Sequence, residues 1–126
     1  MSASKRPLSP FMIGPYYRPQ LTSMTSIFVR ITGNALAVAG LLIVWWLLAA
    51  ATSAEYFAVA NAVLTSWFGD LVLFLSLWAL WYHTLAGIRH LIWDYAVGLE
   101  IETAEKMGWA VIGGSVLLTL LTVAII

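Results

Sequence analysis

Three apolar stretches punctuate the chain. Gly33 to Ala51 carries no charge, Leu71 to Ile88 has His83 as its sole ionisable group, and Trp109 to Ile126 has none. Each approaches the roughly 20 residues needed to cross a hydrocarbon core of about 30 Å. The pattern predicts an all-α integral membrane protein with three transmembrane helices, over about 22–51, 70–93 and 108–126, within a single domain 1–126. All four prolines (Pro7, Pro10, Pro15 and Pro19) fall in residues 1–20. Their spacing prevents a regular helix and predicts an extended N-terminal arm. The run Thr22-Ser23-Met24-Thr25-Ser26 supplies candidate N-caps for the first helix. Gly33, Ala37 and Gly40 form a small-residue seam suited to close helix packing.

Composition supports the membrane reading. Of 126 residues, 62% are hydrophobic and 10% charged, against about 25% charged in soluble domains. Net charge is zero, so its placement is what informs. Lys5, Arg6, Arg18 and Arg30 precede the first span, the connection from Thr52 to Asp70 has no Lys or Arg, and Arg89 and Lys106 bracket the second connection. The positive-inside rule then predicts a cytoplasmic N-terminus and an external C-terminus. Tyr56, Phe57, Trp67 and Phe68 suit the outer aromatic belt, and Trp93, Tyr95 and Trp109 the inner one. The acidic cluster Glu100, Glu102 and Glu105 reads as a solvated loop or helix face. The beginning of the chain reads as neither a signal peptide nor a presequence. Without cysteine, the chain offers no thiolate to an iron–sulfur cluster and no covalent attachment to a haem.

The candidate chemistry centres on His83, because an ionisable ring at membrane depth is costly and imidazole is a common axial ligand of haem iron. At about 100° per residue, Ser76, Ala79, Ala86, Gly87 and His90 share its side of the helix, while Trp78, Trp81, Leu85, Ile88 and Ile92 point away. A small face bearing one imidazole lets a flat macrocycle approach, and the greasy face suits lipid or another helix. His90 lies two turns on, about 10 Å along the axis, too far to ligate the same iron. Two readings of His83 stand on spacing alone: haem ligation, or a hydrogen bond to a neighbouring helix. His90 reads as an interfacial polar residue or a haem propionate contact. Arg30, with Ser26 one turn before it, reads as a lipid-facing anchor or as a donor to a quinone carbonyl or haem propionate. No catalytic triad, phosphate loop or metal–carboxylate cluster is visible.

Three segments fall in order along the chain: Arg6-Pro7-Leu8-Ser9-Pro10, Ser26-Ile27-Phe28-Val29-Arg30-Ile31-Thr32-Gly33, and His83-Thr84-Leu85-Ala86-Gly87-Ile88-Arg89-His90-Leu91-Ile92-Trp93-Asp94. With them the chain resembles the family of succinate dehydrogenase cytochrome b556 subunits, the larger membrane anchors of bacterial respiratory complex II, over nearly its whole length. The resemblance implies that His83 is one axial ligand of haem b and that a second membrane-anchor subunit supplies the other. It implies that Ser26 and Arg30 help bind ubiquinone, the substrate, and that His90 and Arg30 are candidate propionate contacts. It further implies a flavoprotein subunit with FAD and an iron–sulfur subunit as partners, a multi-pass place in the inner membrane among its lipids, and no nucleic-acid partner. The subunit would have no catalytic residue of its own. Many relatives have a histidine where this chain has Val29, and another where it has Phe11, which removes one candidate propionate donor and alters the arm. Competing readings are a fumarate reductase anchor, a structural anchor without haem, and a small transporter or channel subunit. The last is disfavoured because the apolar stretches Gly33–Ala51 and Trp109–Ile126 hold no ionisable residue and no proline.

Overall fold

Ser23 secures the start of the first helix. Its hydroxyl accepts from the Gln20 backbone N–H at 3.1 Å and donates to the Gln20 carbonyl at 2.9 Å. The N-cap is therefore Gln20, ahead of the hydroxyl run expected to supply it, because Ser23 serves from inside the first turn. The computed structural model describes residues 20–126, and the expected proline-bearing arm lies outside the described residues. Four helices follow: α1 Leu21–Thr52, α2 Ala54–Leu64, α3 Trp67–Asp94 and α4 Ile101–Ile125. By length and composition α1, α3 and α4 can each cross a membrane.

The short α2 was not anticipated. Ser53 breaks the chain with extended backbone (φ −164°, ψ 157°), and its hydroxyl accepts from Tyr56 N–H at 3.0 Å to cap the new helix. Glu55 in the first turn suits the positive end of the helix dipole. Eleven residues are too few to span the bilayer, so α2 folds back on α1. There Trp46 donates to Asn61 Oδ1 at 3.2 Å and Trp45 donates to the Tyr56 hydroxyl at 2.8 Å. Ser66 then caps α3, accepting from Gly69 N–H at 3.2 Å.

The bundle interior is two matched stripes. On α3 the buried residues Ala79, Tyr82, Ala86 and Arg89 recur in steps of three and four, and on α4 Ala104, Gly108, Val111, Ser115 and Thr119 do likewise. This is the spacing of a helix seam, built here mainly from small side chains that let backbones approach. The hydroxyls and indoles of the seam find partners within the protein, as a bilayer requires. Trp78 donates to Ser115 Oγ at 3.1 Å and Trp81 to Thr122 Oγ1 at 3.0 Å. The hydroxyls of Ser115, Thr119 and Thr122 in turn donate to carbonyls of their own helix. Two residues of the greasy face of α3 thus bond to another helix rather than to lipid alone.

Helix α4 starts at Ile101, about two turns before the expected 108, and these added turns carry Glu102 and Lys106, which pair at 3.4 Å. The expected seam on α1 is used within this chain only at Gly33, since Gly40 has no atom within 4 Å of where a Cβ would stand. At the α2–α3 corner, Gly69 is buried and a Cβ there would run into the backbone carbonyls of Val63 and Leu64. Gly69→Ala is expected to destabilise the fold by about 1–3 kcal/mol, as overpacking does. Thermal unfolding followed by circular dichroism in detergent would check this.

Candidate functional site

His83 sits on α3 with its ring turned against α1. Its Nδ1 lies 3.2 Å from the Val29 carbonyl oxygen and 3.3 Å from Thr32 Oγ1. Val29, Thr32 and Gly33 share one face of α1, at the spacing of helical neighbours. Gly33 gives the ring its place, because a Cβ there would stand 3.2 Å from His83 Cε1.

Beside this ring lies a cavity of about 460 Å³ whose lining comes from α1 and α3 alone. That volume is in the range of small-molecule and cofactor sites. Ser26, Arg30, His83 and His90, the residues singled out from the sequence, all line it. Ser26, Arg30 and His90 are exposed, whereas His83 is half-buried. Gly87, one turn from His83, has no atom within 4 Å of a notional Cβ, so the space there stays open. His90 Nδ1 lies 3.3 Å from Asp94 Oδ1 on the same exposed surface. Among the described residues no group of three or more His, Cys, Asp or Glu could hold a bare metal ion. A metal held by a macrocycle needs less of the protein, and a single imidazole provides it.

One functional side chain was missed. Arg89 looked like a membrane-edge charge, yet it is 4% exposed and lines the same cavity. Its Nη1 donates to Thr25 Oγ1 at 3.0 Å and its Nη2 donates to the Ala104 carbonyl at 3.1 Å, so one guanidinium joins α1, α3 and α4. Its Cζ stands 4.1 Å from the centre of the Trp93 ring, an attractive cation–π geometry. Trp93 is half-buried there and donates its indole N–H to the Gly98 carbonyl at 3.0 Å. Tyr82 reinforces the point by donating to the Thr25 carbonyl at 2.9 Å. The buried Arg89 Nε has no hydrogen-bond partner. The sequence did hold a signal, since Arg89 continues the three-and-four spacing of Ala79, Tyr82 and Ala86.

Arg89→Ala removes two charge-assisted hydrogen bonds, each worth about 1.5–3 kcal/mol. Arg89→Lys is expected not to restore them, because one ammonium cannot reproduce the planar fork that spans Thr25 and Ala104. Thermal denaturation of both variants in detergent would check this, with Lys expected to fall well short of wild type.

Comparison with known proteins agrees with this architecture. The family model of succinate dehydrogenase/fumarate reductase transmembrane subunits matches residues 2–122. The succinate dehydrogenase cytochrome b556 subunit of Paracoccus denitrificans is 50% identical over 125 residues, covering 99% of this chain and 95% of that one. The protein of the same name from Rickettsia conorii is 39% identical, covering 94% and 90%. The cytochrome b560 subunit of Reclinomonas americana is 36% identical, covering 92% and 83%. The chain belongs to the family of succinate dehydrogenase/fumarate reductase transmembrane subunits.

Proposed function

We propose that this chain is the haem b-binding membrane anchor of a bacterial succinate:ubiquinone oxidoreductase, and that it docks the flavoprotein and iron–sulfur subunits on the inner membrane. The observation that carries this reading is the single cavity holding His83 with Ser26, Arg30 and His90. The names of the relatives support it, since they are cytochrome b subunits of succinate dehydrogenase. The same names favour succinate oxidation over fumarate reduction.

The residues present fit a haem. His83 offers a ring nitrogen, and Gly33 and Gly87 keep the ring and the space beside it clear. Arg30 and His90 line the same cavity as donors suited to the propionates. When bound, haem b supplies one-electron redox chemistry. The sequence has two histidines, and their helical separation of about 10 Å forbids joint ligation of one iron. A second histidine ligand would therefore have to come from another chain, and the resemblance to the family makes that chain a second membrane-anchor subunit.

The placement of Lys and Arg puts the Arg30 and His90 end of the cavity at the cytoplasmic face. There the Ser26 hydroxyl and the Arg30 guanidinium donate hydrogen bonds to a ubiquinone carbonyl and stabilise negative charge as the quinone is reduced. The flavoprotein would hold the FAD that oxidises succinate, and the iron–sulfur subunit would hold the clusters that carry electrons toward the quinone. This chain contributes binding, orientation and electrostatics, and no succinate chemistry.

The purified complex is expected to show a b-type reduced spectrum that disappears in His83→Ala. A wild-type complex free of haem would leave only a structural anchor. Arg30→Ala is expected to slow quinone reduction by about 10²–10³, the usual effect of losing one such donor, while succinate oxidation by a water-soluble acceptor continues. Quinone reduction and quinone affinity both unchanged in Arg30→Ala would remove Arg30 from the site.

A further inference from the structure

We propose that Thr32 is a positioning residue for His83: its hydroxyl, together with the Val29 carbonyl, fixes the proton of the imidazole on Nδ1, turns Nε2 into the iron-binding nitrogen, and sets how strongly that nitrogen donates. The inference rests on the haem-ligating reading of His83.

The proton count on these few atoms is closed. A backbone carbonyl only accepts, so the His83 nitrogen 3.2 Å from the Val29 oxygen carries a hydrogen. The Thr32 hydroxyl has one proton and two carbonyls within reach, Phe28 at 2.8 Å and Val29 at 3.0 Å. The shorter bond takes that proton to Phe28, which leaves a Thr32 lone pair facing His83 Nδ1 at 3.3 Å. The Nδ1–H is thus shared between two acceptors on one face of α1. In the neutral ring Nε2 then bears the free lone pair that a metal requires.

The ring also has little freedom to choose another pose. Gly33 lets it lie against α1, with Cε1 at 3.2 Å from the position of a Cβ. Tyr82 and Ala86 beside it are buried, so α3 does not roll easily to release it. A hydrogen-bond acceptor on the nitrogen of a histidine that faces away from a bound metal raises the basicity of the ligand. Greater basicity favours the ferric over the ferrous state, so the Thr32 hydroxyl holds the haem potential down.

The experiment is a redox titration of the haem in the purified four-subunit complex, with the ferric electron paramagnetic resonance spectrum recorded alongside. Thr32→Val keeps the volume of the side chain and removes the acceptor, and Thr32→Ser keeps the acceptor. In Thr32→Val the ferrous-to-ferric ratio at fixed ambient potential is expected to rise three- to tenfold, a tenfold change being 59 mV for a one-electron couple. The ferric signal should shift with it, and Thr32→Ser should return both toward wild type. Loss of haem from an assembled Thr32→Val complex, with retention in Thr32→Ser, supports the same role. Full haem content with unchanged potential and signal in Thr32→Val overturns the proposal while leaving His83 as ligand. An equal shift in Thr32→Ser overturns it too, since the methyl group would then be responsible. If Thr32→Val does not assemble, Thr32→Ala is titrated in its place. Failure of both to assemble while Thr32→Ser is normal assigns the hydroxyl to folding and overturns the proposal. A wild-type complex without haem defeats the parent reading instead.

Discussion

No water is available inside a bilayer to satisfy a polar group, so every polar atom kept there must find its partner in protein. Arg89 is where this constraint acts most strongly. Its guanidinium reaches Thr25 on α1 and the Ala104 carbonyl on α4 from its own place on α3. A buried charge left without such acceptors would cost several kcal/mol, and removing either α1 or α4 would take away one of the two. The helices are therefore held together at one end by a group that cannot be accommodated unless they meet. Thr25 is suited to the role because its hydroxyl is already committed to the Leu21 and Thr22 carbonyls, which leaves it an acceptor for the arginine.

The same rule divides α3 between two tasks. One side bonds to α4 through the indoles of Trp78 and Trp81, each ending on a hydroxyl. The other side carries His83 and Gly87 onto the cavity shared with α1. Aromatic side chains are large enough to fill the α3–α4 contact and still bring one polar hydrogen to a partner. Small side chains do the opposite work, withdrawing from the cavity so that space opens next to an imidazole. A rigid attachment on one side thus steadies the wall on which the ring stands.

Much of this was legible in the sequence, and the failures share a cause. The three spans follow from uninterrupted apolar stretches. His83, Gly87 and His90 on one face follow from helical periodicity. What periodicity could not supply was which helix faces which. The meeting of His83 with Val29, Thr32 and Gly33, and the shared cavity with Ser26 and Arg30, needed either a family resemblance or the fold itself. Hydropathy also misplaced the start of α4, since it registers the apolar part of a helix and not a charged first turn. Nor did it reveal α2, where Ser53 ends one helix and caps the next without proline or glycine to mark the break. Arg89 was misread because a cation near a span end usually seeks lipid headgroups or water, and only its register with Tyr82 and Ala86 distinguishes it.

Helix α1 is the least enclosed of the three spans: Thr25 and Ala49 are its buried residues, whereas α3 and α4 bury five each. Polar bonds hold it near its two ends. At one end Thr25 receives Arg89 and the Tyr82 hydroxyl, and Gly108 leaves room for Leu21 and Thr25 beside it. At the other, Trp45 and Trp46 tie it to α2. Val29 and Thr32 lie one and two turns from Thr25, and Val29 packs on the core of Tyr82, Ala86 and Val111, so the arginine clamp and this packing together place the acceptors that meet His83. A shift of α1 at Thr25 would be carried along a rigid helix to those acceptors with little loss. The clamp and the imidazole contact are accordingly one mechanical unit, in which a buried charge that demands partners also fixes the geometry of a ring that must present one particular nitrogen.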